Sequence, residues 1–206
     1  MKRILVLFAH PRPDRSENSS VLAEAARGVS AVTFVDLYAE YPDYHIDIDR
    51  EQERLRAHDV VVFMFPLFWY STPALLKEWQ DLVLEYGFAY GSEGRALEGK
   101  LFFNAVTAGG RREAYTREGQ NRFELRDLFT PFEQTVCLCR MQYLPPFALF
   151  GAGHAAEEGR LEPHAEDYQR LLQAAAEDRI DLARAEGVCA LSDDLDTLLL
   201  EPGDVR

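Results

Sequence analysis

The sequence predicts a single α/β domain built on a doubly wound parallel sheet. Its apolar runs are continuous rather than alternating, which indicates strands covered by helices on both faces. The strongest run, Asp59 to Pro66, belongs at the centre of the sheet. Strand and helix segments alternate along the chain, as right-handed crossover connections require. At 206 residues the chain is long enough for one substantial core.

Each element follows from its local sequence. Five extended segments are expected: Ile4 to Ala9, Ala31 to Leu37, Asp59 to Pro66, Leu101 to Thr107, and Met141 to Leu149 despite its two prolines. Five helices are expected: Val21 to Arg27, Arg50 to Ala57, Pro73 to Tyr86, Phe123 to Cys139 and Pro163 to Glu186. Residues 1–186 therefore form the folded domain, and residues 187–206 form an acidic C-terminal tail.

Charge and cysteine content narrow the range of functions. The formal net charge is −13, which argues against a nucleic-acid partner because such binding needs clustered Lys and Arg. The cysteines, Cys137, Cys139 and Cys189, form no disulfide framework, and the scattered histidines suggest no metal site. No apolar run approaches the ~18 residues of a transmembrane helix. We therefore expect a cytoplasmic protein without a metal.

Two loops at the carboxyl ends of strands carry unusual residues, and ligands of such sheets bind at that edge. His10 to Ser20 leads into a helix N-terminus, where free N–H groups favour a phosphate; an ordinary capped helix is the alternative. This loop is neither a Walker A nor a G-x-G-x-x-G motif. Pro66 to Pro73 carries three aromatic residues that suit a flat heteroaromatic ring, unless they pack into the core.

A third loop, Thr107 to Gly110, follows the fourth strand. Its two glycines let the backbone approach a ligand closely, although a Gly-Gly pair is also found in plain turns. The first, third and fourth strands would bring these three loops to one edge of the sheet. Together they indicate a site for a phosphorylated heteroaromatic cofactor.

These motifs resemble the flavodoxin-like NAD(P)H:quinone oxidoreductases, including the ancillary subunits of glutathione-gated potassium-efflux systems. The resemblance extends to about Gly151 and is carried by Ala9 to Pro11, Ser16, Asn18, Asp59 to Asp81, Gly87 to Gly91, Gly99-Lys100, Thr107 to Gly110 and Leu144 to Phe147. It implies a five-stranded sheet in the order 2-1-3-4-5 and a homodimer with flavin at each subunit interface. Similarity to the efflux subunits over Tyr41 to Asp49 favours FMN, with FAD as the alternative.

The resemblance also implies residue roles. The residues implied around the flavin phosphate are His10, Ser16 and Asn18, and those around its ring are Pro66, Leu67, Phe68, Trp69, Thr107, Ala108, Gly109 and Gly110. Tyr115 occupies the position of a catalytic Tyr, and Asn121 occupies the position of the His that partners this Tyr. Asn121 can donate a hydrogen bond but carries no charge. Arg111 or Arg112 is the alternative cation. Phe88 and Tyr90 are candidate walls of the acceptor pocket, with core packing as the alternative.

The expected activity is ping-pong hydride transfer, in which NAD(P)H reduces a flavin and a quinone-type acceptor then takes the hydride in the same pocket. The main alternative is a regulatory flavoprotein that activates a potassium-efflux transporter while lying peripherally at the inner membrane. An electron-transfer flavodoxin is disfavoured because His10 to Ser20 lacks a Thr/Ser-rich glycine loop. A reductase of azo or nitro compounds would share the hydride chemistry and differ in its acceptor.

Overall fold

The sheet has the predicted order. The structure, a computed structural model, describes residues 1–201 and 203. Its parallel strands are β1 (Ile4–Phe8), β2 (Val32–Asp36), β3 (Val60–Pro66), β4 (Leu101–Ala108), β5 (Gln142–Tyr143) and β6 (Phe147–Phe150). The order is β2-β1-β3-β4-β5, and β6 pairs with the remaining half of β4. Since β5 and β6 share one position beside β4, the five-position order 2-1-3-4-5 is confirmed.

The fifth position is divided because of its prolines. Leu144 still donates its N–H to Phe102 O at 2.8 Å, and pairing resumes where Phe147 lies opposite Ala105. Pro145 and Pro146 lie between these points, and neither has an N–H to donate to the ladder. The predicted extended segment is therefore present as two short strands.

The helices cover both faces of the sheet. They are α1 (Glu17–Arg27), α2 (Leu37–Glu40), α3 (Ile48–Ala57), α4 (Ala74–Val83), α5 (Leu125–Leu128), α6 (Thr130–Leu138), α7 (Leu161–Ala176), α8 (Leu182–Ala185) and α9 (Leu195–Leu198). One core lies between the sheet and α1 with α7, and contains Leu22 and Tyr168. The other lies between the sheet and α3, α4 and α6, and contains Leu55, Trp79 and Phe132.

Two predicted helix boundaries are wrong. The last helix was expected to continue to Glu186, but it ends at Ala176 because Asp178 takes a φ of +60° and turns the chain. The helix expected over Phe123 to Cys139 is two helices, α5 and α6, which meet at Phe129. Both differences arise at turns that helical periodicity does not reveal.

The described part of the segment after Gly187 packs on the domain. Leu191, Leu195 and Leu198 are buried in the core that holds α1 and α7. Leu191 donates its N–H to Pro146 O at 2.8 Å. Residues 202 and 204–206 of the expected tail lie outside the described residues. Among residues 1–201 and 203, no helix is both long and apolar enough to cross a membrane.

Candidate functional site

The structure brings the three loops together. They leave the carboxyl ends of β1, β3 and β4, which are neighbours in the sheet. The rings of His10 and Phe68 make an edge contact with centroids 5.9 Å apart, which joins the first loop to the second. Leu67 donates its N–H to Thr107 O at 2.8 Å, which joins the second to the third. The loops form one continuous edge.

His10 is a neutral hydrogen-bond donor at this edge. The residue is 6% exposed, and burial lowers its pKa, although Asp36 and Asp14 act to raise it. Its Nδ1 accepts the N–H of Arg12 at 3.0 Å, so the proton of the neutral ring lies on Nε2. Nε2 has no partner among residues 1–201 and 203. It can therefore donate to a ligand.

The start of α1 offers further unpaired groups. Ser16 caps the helix, accepting the N–H of Ser19 at 3.3 Å. Within the described chain the N–H groups of Glu17 and Asn18 have no acceptor, as is usual for a first helical turn. Asn18 donates its Nδ2 to Ala152 O at 2.8 Å, while its Oδ1 is buried with no described partner. These groups suit an anion with an adjacent hydroxyl.

The second loop is a tight turn of aromatic residues. Phe68 and Ser71 exchange main-chain hydrogen bonds of 3.1 and 2.9 Å, which leaves Trp69 and Tyr70 at the centre. Their φ values are +48° and +63°, as in a type I′ turn, where Asn and Gly are preferred. Bulky residues in this conformation are strained.

The aromatic side chains of this turn face outward. Trp69 is 93% exposed, Tyr70 51% and Phe68 43%. In the described chain the N–H groups of Trp69 and Tyr70 have no acceptor. The turn therefore presents aromatic surface and free donors instead of filling the core, while Pro66 at the end of β3 is buried beneath it.

The third loop contributes backbone, because the Ala108 side chain is buried in the core. Gly109 is exposed, and no described acceptor lies within reach of its N–H. Gly110 accommodates a close neighbour, since a Cβ there would lie 3.0 Å from Cε2 of Tyr115. Tyr115 is 4% exposed and packs on Phe150 with ring centroids 5.6 Å apart.

Tyr115 and Asn121 lie at the same edge as the aromatic turn. Burial raises the pKa of Tyr115, so its hydroxyl keeps its proton at neutral pH. Asn121 accepts a hydrogen bond from the Tyr70 hydroxyl at 3.3 Å and donates its N–H to Ala114 O at 3.0 Å. Asn121 thus links the Tyr115 loop to the turn.

Phe88 and Tyr90, the residues expected to wall the acceptor pocket, have different surroundings within one chain. Phe88 is buried in the core, with the guanidinium of Arg56 4.7 Å above its ring. Arg56 lies near the end of α3, just before the amino end of β3 and away from the three loops. Tyr90 contacts Tyr86 and lines a surface groove that begins at Ser71. Phe88 thus packs in the core of one chain, and its part in the acceptor pocket stays a prediction.

Three long-range contacts at the edge were missed by sequence reasoning. Ala152, which receives Asn18, is 134 residues away from it. Asp193 binds Arg112 from 81 residues away, and Arg111 pairs with Glu158, so both arginines are already engaged. No local pattern signals any of these contacts. In the described ranges, no group of three or more His, Cys, Asp or Glu could hold a metal.

The chain is similar to known proteins in sequence and in fold. The chain matches the model of a family described as having a flavodoxin-like fold over residues 2–172. It is 47% identical over 150 residues to the glutathione-regulated potassium-efflux system ancillary protein KefG of Pectobacterium carotovorum, which covers 73% of this chain and 82% of that protein.

Solved structures of other proteins superpose on this chain. General stress protein 14 of Treponema denticola, in complex with FMN, superposes with a TM-score of 0.79 at 36% identity, covering 84% of this chain and 99% of the other. An NADPH-quinone reductase from P. pentosaceus superposes with a TM-score of 0.74 at 31% identity, covering 82% and 96%. This chain belongs to the family of proteins with a flavodoxin-like fold.

Proposed function

We propose that this chain binds FMN at the carboxyl ends of β1, β3 and β4 and is an NAD(P)H:quinone oxidoreductase. The observation that carries the proposal is that main-chain N–H groups at the start of α1, in the exposed aromatic turn and at Gly109 lie at one edge of the sheet with no acceptor among residues 1–201 and 203. The relatives support it, because one is named an NADPH-quinone reductase and another is an FMN complex.

The unpaired groups fit the parts of FMN. A phosphate accepts hydrogen bonds only, and the N–H groups of Glu17 and Asn18, with Nε2 of His10, are donors at a helix N-terminus. The buried Oδ1 of Asn18 needs a donor, which a sugar-alcohol hydroxyl provides. FAD carries the same groups and is the alternative.

The ring of a flavin needs a flat apolar contact and donors at its polar rim. Trp69 and Phe68 provide the contact, and the N–H groups of Trp69, Tyr70 and Gly109 provide the donors. When bound, the flavin supplies the hydride chemistry, from NAD(P)H to a quinone in ping-pong fashion. The aromatic turn would exclude water from the ring.

Tyr115 and Asn121 act without a charged relay. Tyr115 keeps its proton because burial raises its pKa, and Asn121 is neutral at every pH. They stabilise negative charge by hydrogen bonding and dipole alone. The NAD(P)H-dependent reaction should therefore show no ionisation of a His partner near neutral pH.

We also propose a cytoplasmic homodimer. The exposed Trp69, Tyr70 and Phe68 form an apolar patch of the kind that a second copy covers. Light scattering after size exclusion tests the assembly: twice the monomer mass supports it, and a monomer with bound FMN contradicts it.

Reconstitution of the purified chain with FMN, FAD and riboflavin tests the proposed function. We expect bound FMN, bleaching by NADH or NADPH under anaerobic conditions, and recovery of the visible spectrum on adding 1,4-benzoquinone. Riboflavin lacks the phosphate and should bind roughly 100-fold more weakly. Absence of flavin after reconstitution, or bound flavin that neither pyridine nucleotide bleaches, would overturn the proposal.

Asn18→Asp is the matched variant for the phosphate subsite. It places a carboxylate beside the phosphate and also removes the Nδ2 donor to Ala152 O, so FMN affinity should fall further than riboflavin affinity. Equal losses for both ligands would show that Asn18 supports the fold of the loop and does not face a phosphate.

The similarity to KefG favours a second candidate function, regulation of a potassium-efflux transporter. Both functions can use the same flavin site. Potassium efflux should be measured in cells that lack this protein and are complemented by a variant without quinone reduction. Restored efflux would favour regulation, whereas wild-type efflux in the deletion strain would exclude it.

A further inference from the structure

The C-terminal segment lies along the free edge of the sheet beside the candidate site. Ser192 Oγ accepts the N–H of Ala148 at 3.2 Å and donates to Ala148 O at 3.0 Å. These two groups belong to β6, which among residues 1–201 and 203 has β4 as its one strand partner, on its other side. An edge strand needs such cover. The segment lies beyond residue 172, where the match to the family model ends.

The next residue of the segment, Asp193, binds Arg112 in the loop that follows β4. Nε and Nη2 of Arg112 donate to the two carboxylate oxygens of Asp193 at 3.0 and 2.8 Å. The side chains are 34% and 31% exposed, so water only partly screens the pair. A two-pronged contact of this kind fixes the guanidinium plane as well as its position.

Arg112 passes this restraint to Tyr115. Its Nη1 donates to Tyr115 O at 3.5 Å, and the N–H of Tyr115 donates to Arg112 O at 3.1 Å. The guanidinium also lies 5.2 Å from the centre of the Phe150 ring, on which the Tyr115 ring packs. Arg112 is thus connected with the Tyr115 main chain by two hydrogen bonds and with the Tyr115 ring through Phe150.

We propose that Asp193 is a positioning residue, which holds Arg112 and through it sets the place of Tyr115 at the cofactor ring. The proposal rests on the proposed function, in which Tyr115 faces the flavin. The C-terminal segment then contributes a residue that positions the site. The pairing with Asp193 also explains why Arg112, the alternative cation, is not free to approach the ring.

Hydrogen exchange of the chain without cofactor tests the restraint independently of any activity. The amides of Tyr115 and Asn121 are hydrogen-bonded within the loop, and in Asp193→Asn they should exchange about tenfold faster. Asp196→Asn is the matched control, since Asp196 on the same segment pairs with Arg170 at 2.5 Å, away from the loop. Equal exchange in both variants would overturn the proposal.

Turnover of the FMN-loaded protein tests the consequence. In Asp193→Asn, kcat for 1,4-benzoquinone should fall about tenfold with little change in KM, because Tyr115 acts on charge that develops during the reaction. Arg112→Lys, which cannot form the two-pronged contact, should behave alike, and Asp193→Glu should recover part of the rate. A fall in kcat accompanied by a similar change in KM would contradict a positioning role. A fall in kcat no larger than that of Asp196→Asn would also contradict it.

The two experiments fail in different ways. If the wild-type chain binds no flavin, the proposed function is wrong, and hydrogen exchange still decides whether Asp193 restrains the loop. If the wild type reduces quinone while Asp193→Asn matches Asp196→Asn in exchange and in kcat, the proposed function stands and the positioning role is wrong.

Discussion

Two polar regions of the molecule differ in how completely their groups are paired. Glu51 on α3 is fully buried. Its carboxylate accepts from the Tyr41 hydroxyl at 2.6 Å and from Nε1 of Trp79 at 2.9 Å, and it forms an ion pair with Arg54. This cluster, which we call the Glu51 cluster, ties the loop after α2 to α3 and α4 with every donor facing an acceptor.

The carboxyl edge of the sheet shows the opposite pattern. In the part of the chain that the structure describes, the N–H groups of residues 17, 18, 69, 70 and 109 have no acceptor, and the buried Oδ1 of Asn18 has no donor. Trp69 and Tyr70 add backbone strain. Buried groups in proteins are normally paired, and strain gathers where function requires it. The difference separates a cluster that holds the fold from the edge at which we propose that the cofactor binds.

The largest expected effect is in the Glu51 cluster. Glu51→Ala leaves the Tyr41 hydroxyl, the Trp79 N–H and the Arg54 guanidinium without their acceptor, so the free energy of unfolding should fall by about 3 to 5 kcal/mol. Urea denaturation of the chain without cofactor measures this loss. Glu53→Ala, an exposed change on the same helix, should cost less than about 0.5 kcal/mol. Equal losses would show that pairing at Glu51 contributes nothing.

The next effect appears on acidification. His164 stacks on Phe147 with ring centroids 4.3 Å apart, and burial lowers its pKa from 6.5 to about 4. The unfolded chain takes up a proton below pH 6.5 and the folded chain does not until about pH 4. This stabilising contribution is therefore complete above pH 6.5 and is lost as the pH falls, by about 2 kcal/mol at pH 5.

His164→Phe keeps the stacking on Phe147 and removes the titration. Unfolding free energies at pH 7.5, 6 and 5 should decline less steeply than in the wild type. Tyr168→Phe, which also stacks on Phe147 and retains His164, is the control and should keep the wild-type slope. The same slope in all three proteins would contradict the assignment to His164.

Sequence reasoning identified the architecture because its signals are local. Continuous apolar runs such as Val60 to Phe65 mark strands buried on both faces, and the three loops follow from the places where those runs end. The turn at Asp178, which ends α7 early, has no comparable signal. Asp tolerates a positive φ but does not require it.

The sequence predicts which residues stand in the loops of the candidate site, but not their conformation or their distant contacts, because these are not set by local signals. Which residues stand in the loops is visible in the sequence, but aromatic residues at positive φ contradict the turn preference for Gly and Asn, so the tight turn at Trp69 and Tyr70 was not foreseen. The pairing of Arg112 with Asp193 depends on where a distant segment docks. The surroundings of Phe88 are likewise not visible in the sequence, because only the fold places the Arg56 guanidinium over its ring.

The third prediction compares two helix caps, one at the carboxyl edge and one on α3, whose removal has a similar expected cost in the free energy of unfolding. Ser16 caps α1 at the carboxyl edge, and Asp47 caps α3 by accepting the N–H of Arg50 at 3.1 Å. Ser16→Ala and Asp47→Ala should each lower the free energy of unfolding by about 1 kcal/mol. Only Ser16→Ala should weaken FMN binding, measured by fluorescence titration. Equal effects on FMN binding would mean that the general loss of stability, and not the place of Ser16 at the carboxyl edge, weakens binding.

The smallest effect on stability has the opposite sign. Trp69 is 93% exposed and holds a φ of +48°, so it contributes strain and little packing. Trp69→Asn places a residue that favours this conformation, so the free energy of unfolding, measured at concentrations where the chain is monomeric, should rise by about 0.5 to 1 kcal/mol. FMN affinity should fall about tenfold because the aromatic contact is lost. Asp178→Gly relieves a positive φ far from the carboxyl edge and should leave FMN affinity unchanged. If Trp69→Asn instead lowers stability and leaves FMN affinity intact, the turn belongs with the Glu51 cluster, as structure and not as a ligand site.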